Sequence, residues 1–251
     1  MSKGFSVADS VALVTGANRG IGEAIVDALV AAGARKVYAA ARRREDLDAL
    51  LSRHGEAVQP LELDVTDSEQ VLAAAQAASD VQLLINNAGV ASYAMGAFDD
   101  PQWLDGGRQD MEVNFFGTFA MSQAFAPLLS ANGGGAIVNL ASVASLVNFP
   151  VLAAYSASKA ATHSLTQAAR LMLKAQGTQV FGVYPGPIDT RMAEGFEMDK
   201  TPPSEVARAI LEGVGNGTEE IYPDAVGVQF GVGYAAAPKA LEAQVEAMFA
   251  A

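Results

Sequence analysis

The sequence predicts an α/β protein built on a doubly wound sheet of seven parallel strands, with helices on both faces. Short apolar runs alternate with longer helical stretches along the whole chain, which is typical of parallel strands joined by crossover helices. A glycine-rich turn separates the first apolar run from the first helix. With 251 residues, 51% of them hydrophobic, and no linker or repeat, we expect a single domain over 1–251.

The elements follow in order from apolar runs and helical periodicity. Apolar residues recur at helical spacing from Ile21 to Leu29, and Gly33 follows as a stop signal, which predicts a helix over 21–32. The predicted strands are 10–15, 36–41, 58–63, 81–86, 135–141, 178–184 and a short 219–223. The other predicted helices are 45–53, 67–78, 102–130, 152–176, 203–214 and 236–249. The stretch 187–202 has the weakest pattern and is predicted to be a substrate lid.

Composition excludes several classes of function. A formal net charge of -12 argues against nucleic acid or an anionic membrane surface as a partner, because both need clustered Lys and Arg. The chain has no cysteine, and neither His54 nor His163 lies in a cluster of acids, so no metal site is expected. The N-terminal stretch lacks a signal-peptide core and no run approaches a membrane span, so we expect a soluble, cytoplasmic protein without a membrane partner.

The segment "VALVTGANRGIG" places Gly16, Gly20 and Gly22 between the first strand and the first helix. A tight turn and close approach of the backbone to a pyrophosphate at a helix N-terminus both need residues without Cβ. The spacing differs from the G-x-G-x-x-G of the general dinucleotide fingerprint, and glycines that merely end a strand are the alternative. We interpret the turn as a dinucleotide site.

The end of the second strand indicates which dinucleotide binds. In the general fingerprint, an acid about 20 positions on binds the ribose 2′-hydroxyl. Here the strand ends "AAARRR", with Ala41 at that position and Arg42 after it, and Arg19 stands within the glycine turn. Two guanidinium groups suit a 2′-phosphate, which predicts NADP(H) over NAD(H). Arg43 and Arg44 are interpreted as a solvated helix start.

The segment "YSASK" places a phenol and an ammonium four residues apart in a predicted helix. Tyr155 and Lys159 therefore share one helix face, with only small residues between them. A cation near a phenol favours the phenolate, so Lys159 is expected to lower the pKa of Tyr155. The alternative is a core helix with a partly buried tyrosine and a solvated lysine.

Six motifs occur in order on the predicted strand ends and helices: "TGANRGIG", "NNAG", "EVNFFGT", "IVNLASVAS", "YSASK" and "YPGPIDT". Together they give a chain that resembles the short-chain dehydrogenase/reductase family over nearly its whole length. The resemblance implies a Rossmann fold and an NADP(H)-dependent carbonyl reductase or alcohol dehydrogenase acting on a small-molecule carbonyl or alcohol. It also implies a homodimer or homotetramer.

The resemblance assigns a role to each matching position. It implies a catalytic tetrad in which Tyr155 is the general acid/base, Ser142 donates to the carbonyl oxygen, Lys159 also binds the nicotinamide ribose and Asn114 holds a water. The residues expected at the cofactor, besides Tyr155, Lys159 and Arg42, are Gly16, Asn18, Arg19, Gly20, Ile21 and Gly22 in the glycine turn, Asp64 and Val65 at the adenine, Asn87, Ala88 and Gly89 at the adenosine-side ribose, and Pro185, Gly186, Ile188 and Thr190 at the nicotinamide.

The predicted substrate cleft is mostly apolar, which favours a neutral, hydrophobic ketone, aldehyde or secondary alcohol. Its expected lining residues are Tyr93, Val143, Val147, Phe149, Leu152, Met192, Phe196 and Met198. An excess of acids between 187 and 240 disfavours anionic thioester substrates. Since fold does not fix function, a non-catalytic NADP(H)-sensing or protein-interaction module remains the alternative.

Overall fold

The computed structural model describes residues 4–93, 99–195 and 197–249. Its strands form one seven-stranded parallel sheet in the order β3-β2-β1-β4-β5-β6-β7. The strands are β1 (Val11–Thr15), β2 (Lys36–Ala41), β3 (Val58–Glu62), β4 (Leu83–Asn86), β5 (Ala136–Leu140), β6 (Gln179–Val183) and β7 (Glu220–Ile221). The predicted doubly wound fold is confirmed, with every strand end within two residues of its predicted position.

The α-helices lie on both faces of this sheet. They are α1 (Gly20–Ala31), α2 (Asp48–His54), α3 (Ser68–Ala77), α4 (Gln102–Asp110), α5 (Thr118–Ala131), α6 (Ala153–Met172), α7 (Pro203–Asn216), α8 (Ala225–Ala236) and α9 (Pro238–Phe249). Within the described ranges, none of them combines the length and the apolar character that crossing a membrane requires.

The central strand β1 shows how the core divides into two layers. All five of its residues are buried between β2 and β4, as expected for a strand covered on both faces. Ala12 and Val14 pack in the cluster that includes α1 and α7, whereas Val11 and Leu13 pack in the cluster that includes α3 and α5. Successive side chains alternate between the faces, so β1 joins both layers.

The strand order places the ligand crevice. The chain winds outward in one direction from β1 to β3 and in the other from β4 to β7. In such sheets, ligands bind at the carboxyl ends of the strands where the order reverses, here between β1 and β4. Pro60 lies in β3, an edge strand, where its missing N–H is tolerated.

Two helical regions differ from the sequence prediction. The single helix expected over 102–130 is divided by a π-helix at Met111–Gly117, which contains Asn114. α8 was not predicted, because it is apolar on all sides and contains glycines, so it has neither clear periodicity nor high helix propensity. The side chain of Asp224 caps it by accepting from the Gly227 N–H at 2.8 Å.

Candidate active site

The turn between β1 and α1 needs its glycines for its own packing. Gly16 and Gly20 have φ values of +63° and +57°, in the left-handed region that glycine adopts without penalty. A Cβ on Gly22 would lie 2.2 Å from the Gly16 carbonyl oxygen and 2.5 Å from the Asn87 Nδ2. At Arg19, the N-cap of α1, the side chain makes no capping hydrogen bond. The turn therefore suits an anion at the first N–H groups of α1.

The end of β4 holds this turn in place. The Asn87 Nδ2 donates to the carbonyl oxygens of Thr15 at 2.8 Å and Gly16 at 3.1 Å. The backbone N–H groups of Asn87 and Ala88 both donate to the Thr15 hydroxyl at 3.0 Å. These contacts fix the carboxyl ends of β1 and β4 side by side, while direct contact of Asn87 or Ala88 with a ribose stays a prediction.

The four arginines near the turn fall into two pairs. Arg19 and Arg42 are exposed, and within residues 4–93, 99–195 and 197–249 neither forms an ion pair. Arg43 instead pairs with Asp46, and the Arg44 guanidinium lies 3.7 Å from a carboxylate oxygen in α2. Arg19 and Arg42 are therefore free to bind an anion, whereas the other two neutralise acids of their own segment.

The remaining predicted cofactor residues lie on the same edge. A Cβ on Gly20 would lie 3.0 Å from the Thr190 Cγ2, so the glycine turn meets the segment after β6. The Asp64 carboxylate accepts from the backbone N–H of Thr66 at 3.0 Å and from its hydroxyl at 2.7 Å. The Gly186 N–H donates to Asp224 at 2.9 Å. Among these predicted cofactor residues, Val65, Pro185 and Ile188 are buried. The partly exposed ones include Asn18, Ile21, Asp64 and Gly186.

Three side chains of the predicted tetrad come together where β5 ends beside α6. Lys159 is 5% exposed, and its Nζ donates to the Leu140 carbonyl oxygen at 2.7 Å. The same Nζ lies 5.7 Å from the centre of the Tyr155 ring, one helical turn away. The Ser142 side chain, at the end of β5, hydrogen-bonds the Tyr155 hydroxyl. The structure thus brings Ser142, Tyr155 and Lys159 into one site; the spacing of "YSASK" predicts that Tyr155 and Lys159 are close, and the family resemblance implies the position of Ser142.

Asn114 joins this site through the π-helix. It is fully buried, and its Nδ2 donates at 2.9 Å to both the Val90 carbonyl oxygen and the Ser158 hydroxyl. Its Oδ1 accepts from the Val90 N–H at 2.9 Å. A Cβ on Gly89 would lie 3.1 Å from this Oδ1 and 3.5 Å from the Lys159 Nζ, which places Asn114 beside Lys159. The predicted water held by Asn114 stays a prediction.

Comparison with known proteins decides the family. Residues 10–201 match the family model described as short chain dehydrogenase. The chain belongs to the short chain dehydrogenase family. It is 39% identical over 229 residues to a galactitol 2-dehydrogenase (L-tagatose-forming) of Cereibacter sphaeroides, covering 82% of this chain and 88% of the relative. It is 33% identical over 205 residues to a trans-4-hydroxycyclohexanecarboxylate dehydrogenase of Sinomonas cyclohexanicum, covering 76% and 77%.

Solved structures give the same family. A short chain dehydrogenase from Burkholderia cenocepacia J2315, in complex with NADP, superposes with a TM-score of 0.89 at 41% identity, covering 96% of this chain and 99% of that one. A 3-ketoacyl-(acyl-carrier-protein) reductase from Brucella melitensis, complexed with NADH, gives a TM-score of 0.76 at 26% identity, covering 83% and 92%. The family thus includes proteins with either dinucleotide.

Burial shifts the pKa values of both Tyr155 and Lys159. Burial raises the pKa of Tyr155 to about 12, and the hydrogen bond with Ser142 opposes that rise. Burial also lowers the pKa of Lys159 to about 8. In the protein alone, desolvation of the phenolate dominates, and the Lys159 ammonium donates to the Leu140 carbonyl. That Lys159 favours the phenolate beside bound dinucleotide stays a prediction.

Two side chains near this site were not predicted from the sequence. Asp224 caps α8 and also accepts from the Gly186 N–H, so it fixes the loop after β6. His163, to which the sequence assigns no role, is buried, with its Nδ1 2.6 Å from the Tyr184 hydroxyl. Its position four residues after Lys159 was the available signal, since i and i+4 share a helix face. Asp224 lay far along the chain and gave no signal.

The predicted substrate lining divides into two groups. The Tyr93 hydroxyl donates to the Met192 carbonyl oxygen and so joins the segments after β4 and β6. Val143 and Val147 are buried in a cluster with Phe230 of α8. Of the other predicted lining residues, Phe149 packs on the Phe230 ring at 5.6 Å, Leu152 is half-buried, Met198 is exposed, and Phe196 lies outside the described residues.

A cavity of about 680 Å³ lies next to the site but is not the reaction centre. The segment 144–150, α6 and α9 line it, with Ser156, Ala157 and Ala160 supplied by α6. None of the four tetrad residues contributes to its lining. It therefore lies beside the predicted tetrad, next to the segment that follows Ser142.

Proposed function

We propose that the protein transfers a hydride between NADP(H) and a neutral ketone or aldehyde, or the matching secondary alcohol, with Tyr155 as general acid/base. The observation that carries this proposal is the grouping of Ser142, Tyr155 and Lys159 at the strand ends beside the glycine turn. The two dehydrogenases found among its relatives have names that specify oxidation of a hydroxyl group on a polyol or a carbocycle. Both names support a secondary alcohol as the reacting group, and the polyol also supports a neutral substrate, whereas the cyclohexane compound carries a carboxylate away from its hydroxyl.

The choice of NADP(H) is supported by the free guanidinium groups of Arg19 and Arg42. A 2′-phosphate binds most strongly to forked, charge-assisted donors, and no acid stands at Ala41 to bind a 2′-hydroxyl instead. The relative from Burkholderia cenocepacia is in complex with NADP. We assign the phosphates to the glycine turn and the first turn of α1.

The chain's own residues manage the proton. In reduction, the Tyr155 hydroxyl gives its proton to the oxygen of the forming alcohol, and Ser142 donates a hydrogen bond to the same oxygen. In oxidation, Tyr155 takes the proton back. Lys159 is held by the Leu140 carbonyl with its Nζ 5.7 Å from the centre of the Tyr155 ring, and it would bind a ribose hydroxyl of the cofactor. Bound NADP(H) supplies the hydride and, when oxidised, a positive charge beside the phenol that favours proton loss from Tyr155.

We also propose that the stretch 187–202 covers the substrate. Its two ends are tied together by a parallel bridge between Ile188 and Thr201, with the Asp189 N–H donating to the Thr201 carbonyl oxygen at 3.0 Å. This bridge closes the base of the segment beside the end of β6. The Tyr93 contact with Met192 is the point at which it meets the opposite wall.

The test is a panel of neutral ketones, aldehydes, cyclic secondary alcohols and polyols, each with NADP(H) and NAD(H), followed by nicotinamide absorbance. We expect turnover with at least one class and higher kcat/KM with NADP(H). A preference for NADH would overturn the roles of Arg19 and Arg42. Tight NADPH binding without turnover on any substrate would instead favour a non-catalytic module.

A further inference from the structure

A buried carboxylate lies near Tyr155 and Lys159, at the end of α4. Asp110, the last residue of α4, has no exposed surface. Its Oδ1 accepts from the backbone N–H and the hydroxyl of Ser92, both at 3.1 Å, and its Oδ2 lies 3.3 Å from the same N–H. A buried charge is costly unless it is paired or hydrogen-bonded, so this placement indicates a specific role.

Asp110 is the middle member of a stripe with an interval of four residues. Gly106, Asp110 and Asn114 follow one another on α4 and the π-helix. The Gly106 carbonyl oxygen lies 3.1 Å from the Ser92 hydroxyl, and Asn114 bonds both backbone groups of Val90. A Cβ on Gly106 would lie 2.8 Å from that of Ser92, which explains a glycine within a helix. The stripe fixes residues 90–92 beside the catalytic helix.

Asp110 also lies near Lys159, because it stands four residues before Asn114, whose Oδ1 and the Lys159 Nζ both lie within 3.5 Å of a Cβ built on Gly89. Four titratable groups interact here: Asp110 on α4, Lys159 and Tyr155 on α6, and Tyr93 on the segment after β4. Burial raises the pKa of Asp110, while Ser92 and Lys159 lower it. Reciprocally, Asp110 raises the pKa of Lys159 against the larger effect of burial. Arg108, on the same helix, is exposed and pairs with Asp105 at 3.1 Å.

We propose that Asp110 is a positioning residue whose carboxylate holds the Ser92 segment in place and keeps the Lys159 ammonium charged in its buried position. The proposal rests on the proposed function only for its consequence in catalysis. Without this carboxylate, a larger share of Lys159 would be neutral near neutral pH and could no longer donate all its protons.

The test is the titration of Lys159 by NMR, with ¹³C at Cε of the chain's six lysines and assignment by loss of the signal in Lys159→Gln. In Asp110→Asn, which keeps the shape of the side chain, we expect the pKa of Lys159 to fall by about one unit, the lower end of the effect of a nearby opposite charge. Ser92→Ala is the matched control, because it removes the hydroxyl but keeps the carboxylate. There the Lys159 titration should stay within a few tenths of a unit of the wild type.

Equal shifts in the two variants would overturn the charge role and leave Asp110 as a structural clamp only, and no shift in Asp110→Asn would do the same. If Asp110→Asn fails to fold, the Asp110 Cγ signal of the wild-type protein decides: we expect a carboxylate at pH 7, and a protonated group throughout the Lys159 titration would overturn the proposal. Because these measurements need no turnover, a failure of the proposed activity would not be confused with a failure of this inference.

Discussion

The glycine turn and α6, the proposed catalytic helix with Tyr155 and Lys159, lie on the same edge of the sheet. They differ in the groups that form each site. The turn uses backbone groups and missing side chains, and its cations Arg19 and Arg42 are exposed and free of carboxylates within the described residues. The catalytic side uses buried polar side chains, and Asn114 and Lys159 are both hydrogen-bonded to protein groups. The cations of the glycine turn therefore have no anionic partner until an anion binds, whereas the polar side chains of the catalytic side already have their hydrogen-bond partners.

This difference has an energetic basis. An exposed guanidinium loses little by staying in water until a phosphate binds, and a glycine turn needs only space. A buried ammonium, by contrast, is stabilised only if acceptors are fixed around it, so the catalytic side requires a network from several elements. Variants in the first region should therefore affect binding selectively, and variants in the second should affect chemistry or stability.

The largest effect is expected from Tyr155→Phe. It removes the proton donor and leaves the ring, so turnover should fall by at least about a thousandfold, within the range contributed by general acid–base catalysis. The melting temperature and the Kd for NADPH should change little. Steady-state kinetics measure turnover, thermal unfolding measures the melting temperature and fluorescence titration measures the Kd for NADPH.

Tyr93→Phe is the matched control for the loss of a phenol near the site. Its hydroxyl contacts the Met192 carbonyl and is placed in no proton transfer, so kcat should change by no more than a few-fold. Turnover of Tyr155→Phe at the level of Tyr93→Phe would remove Tyr155 from the mechanism.

The next effect concerns Gly22, where the turn has no room for a side chain. In Gly22→Ala, the new methyl would lie 2.2 Å from the Gly16 carbonyl oxygen, and relief requires backbone movement. We expect a loss of about 3 kcal/mol in the free energy of unfolding, the upper end for overpacking, measured by urea denaturation. Gly215→Ala is the control, because a Cβ there meets no atom within 4 Å. Similar losses in both variants would contradict the steric argument.

A smaller and selective effect is expected from Arg42→Ala. Loss of a charge-assisted hydrogen bond to the 2′-phosphate should raise the Kd for NADPH by about 10- to 100-fold, because such bonds contribute about 1.5–3 kcal/mol. The Kd for NADH should not change. Arg43→Ala is the matched control, since its guanidinium already pairs with Asp46. An equal loss for both cofactors in Arg42→Ala would break the contrast between the regions.

The two regions also differ in how far the sequence predicts them. The glycine turn and "YSASK" are local patterns, so the positions of Gly16, Tyr155 and Lys159 followed from spacing on a strand end and a helix. The strands followed in the same way, from short apolar runs.

The hydrogen bonds of Asp110 and Asp224 could not be predicted from the sequence, because they join residues that are distant in the chain. The bond from Asp110 to Ser92 spans 18 residues, and that from Asp224 to Gly186 spans 38. No periodicity in either segment indicates these partners. The π-helix depends on the same kind of contact, since it presents Asn114 to Val90 and Ser158. Propensity cannot predict such a break.

The smallest effect tests the buried network at His163. Burial lowers the pKa of this imidazole, which lies 2.6 Å from the Tyr184 hydroxyl. The unfolded chain, with a His pKa of about 6.5, therefore takes up the proton first as pH falls, so this stability is present above about pH 6.5 and is lost below it. His163→Gln should make the loss of stability between pH 7 and 5 smaller than in the wild type, measured by urea denaturation at each pH. His54→Gln is the control, because it removes the other histidine, whose Nε2 contacts Asp27. In this variant, the loss of stability that depends on His163 should persist. An unchanged slope in His163→Gln would show that the imidazole is not held neutral, and the catalytic side would then be less rigidly ordered than its hydrogen bonds indicate.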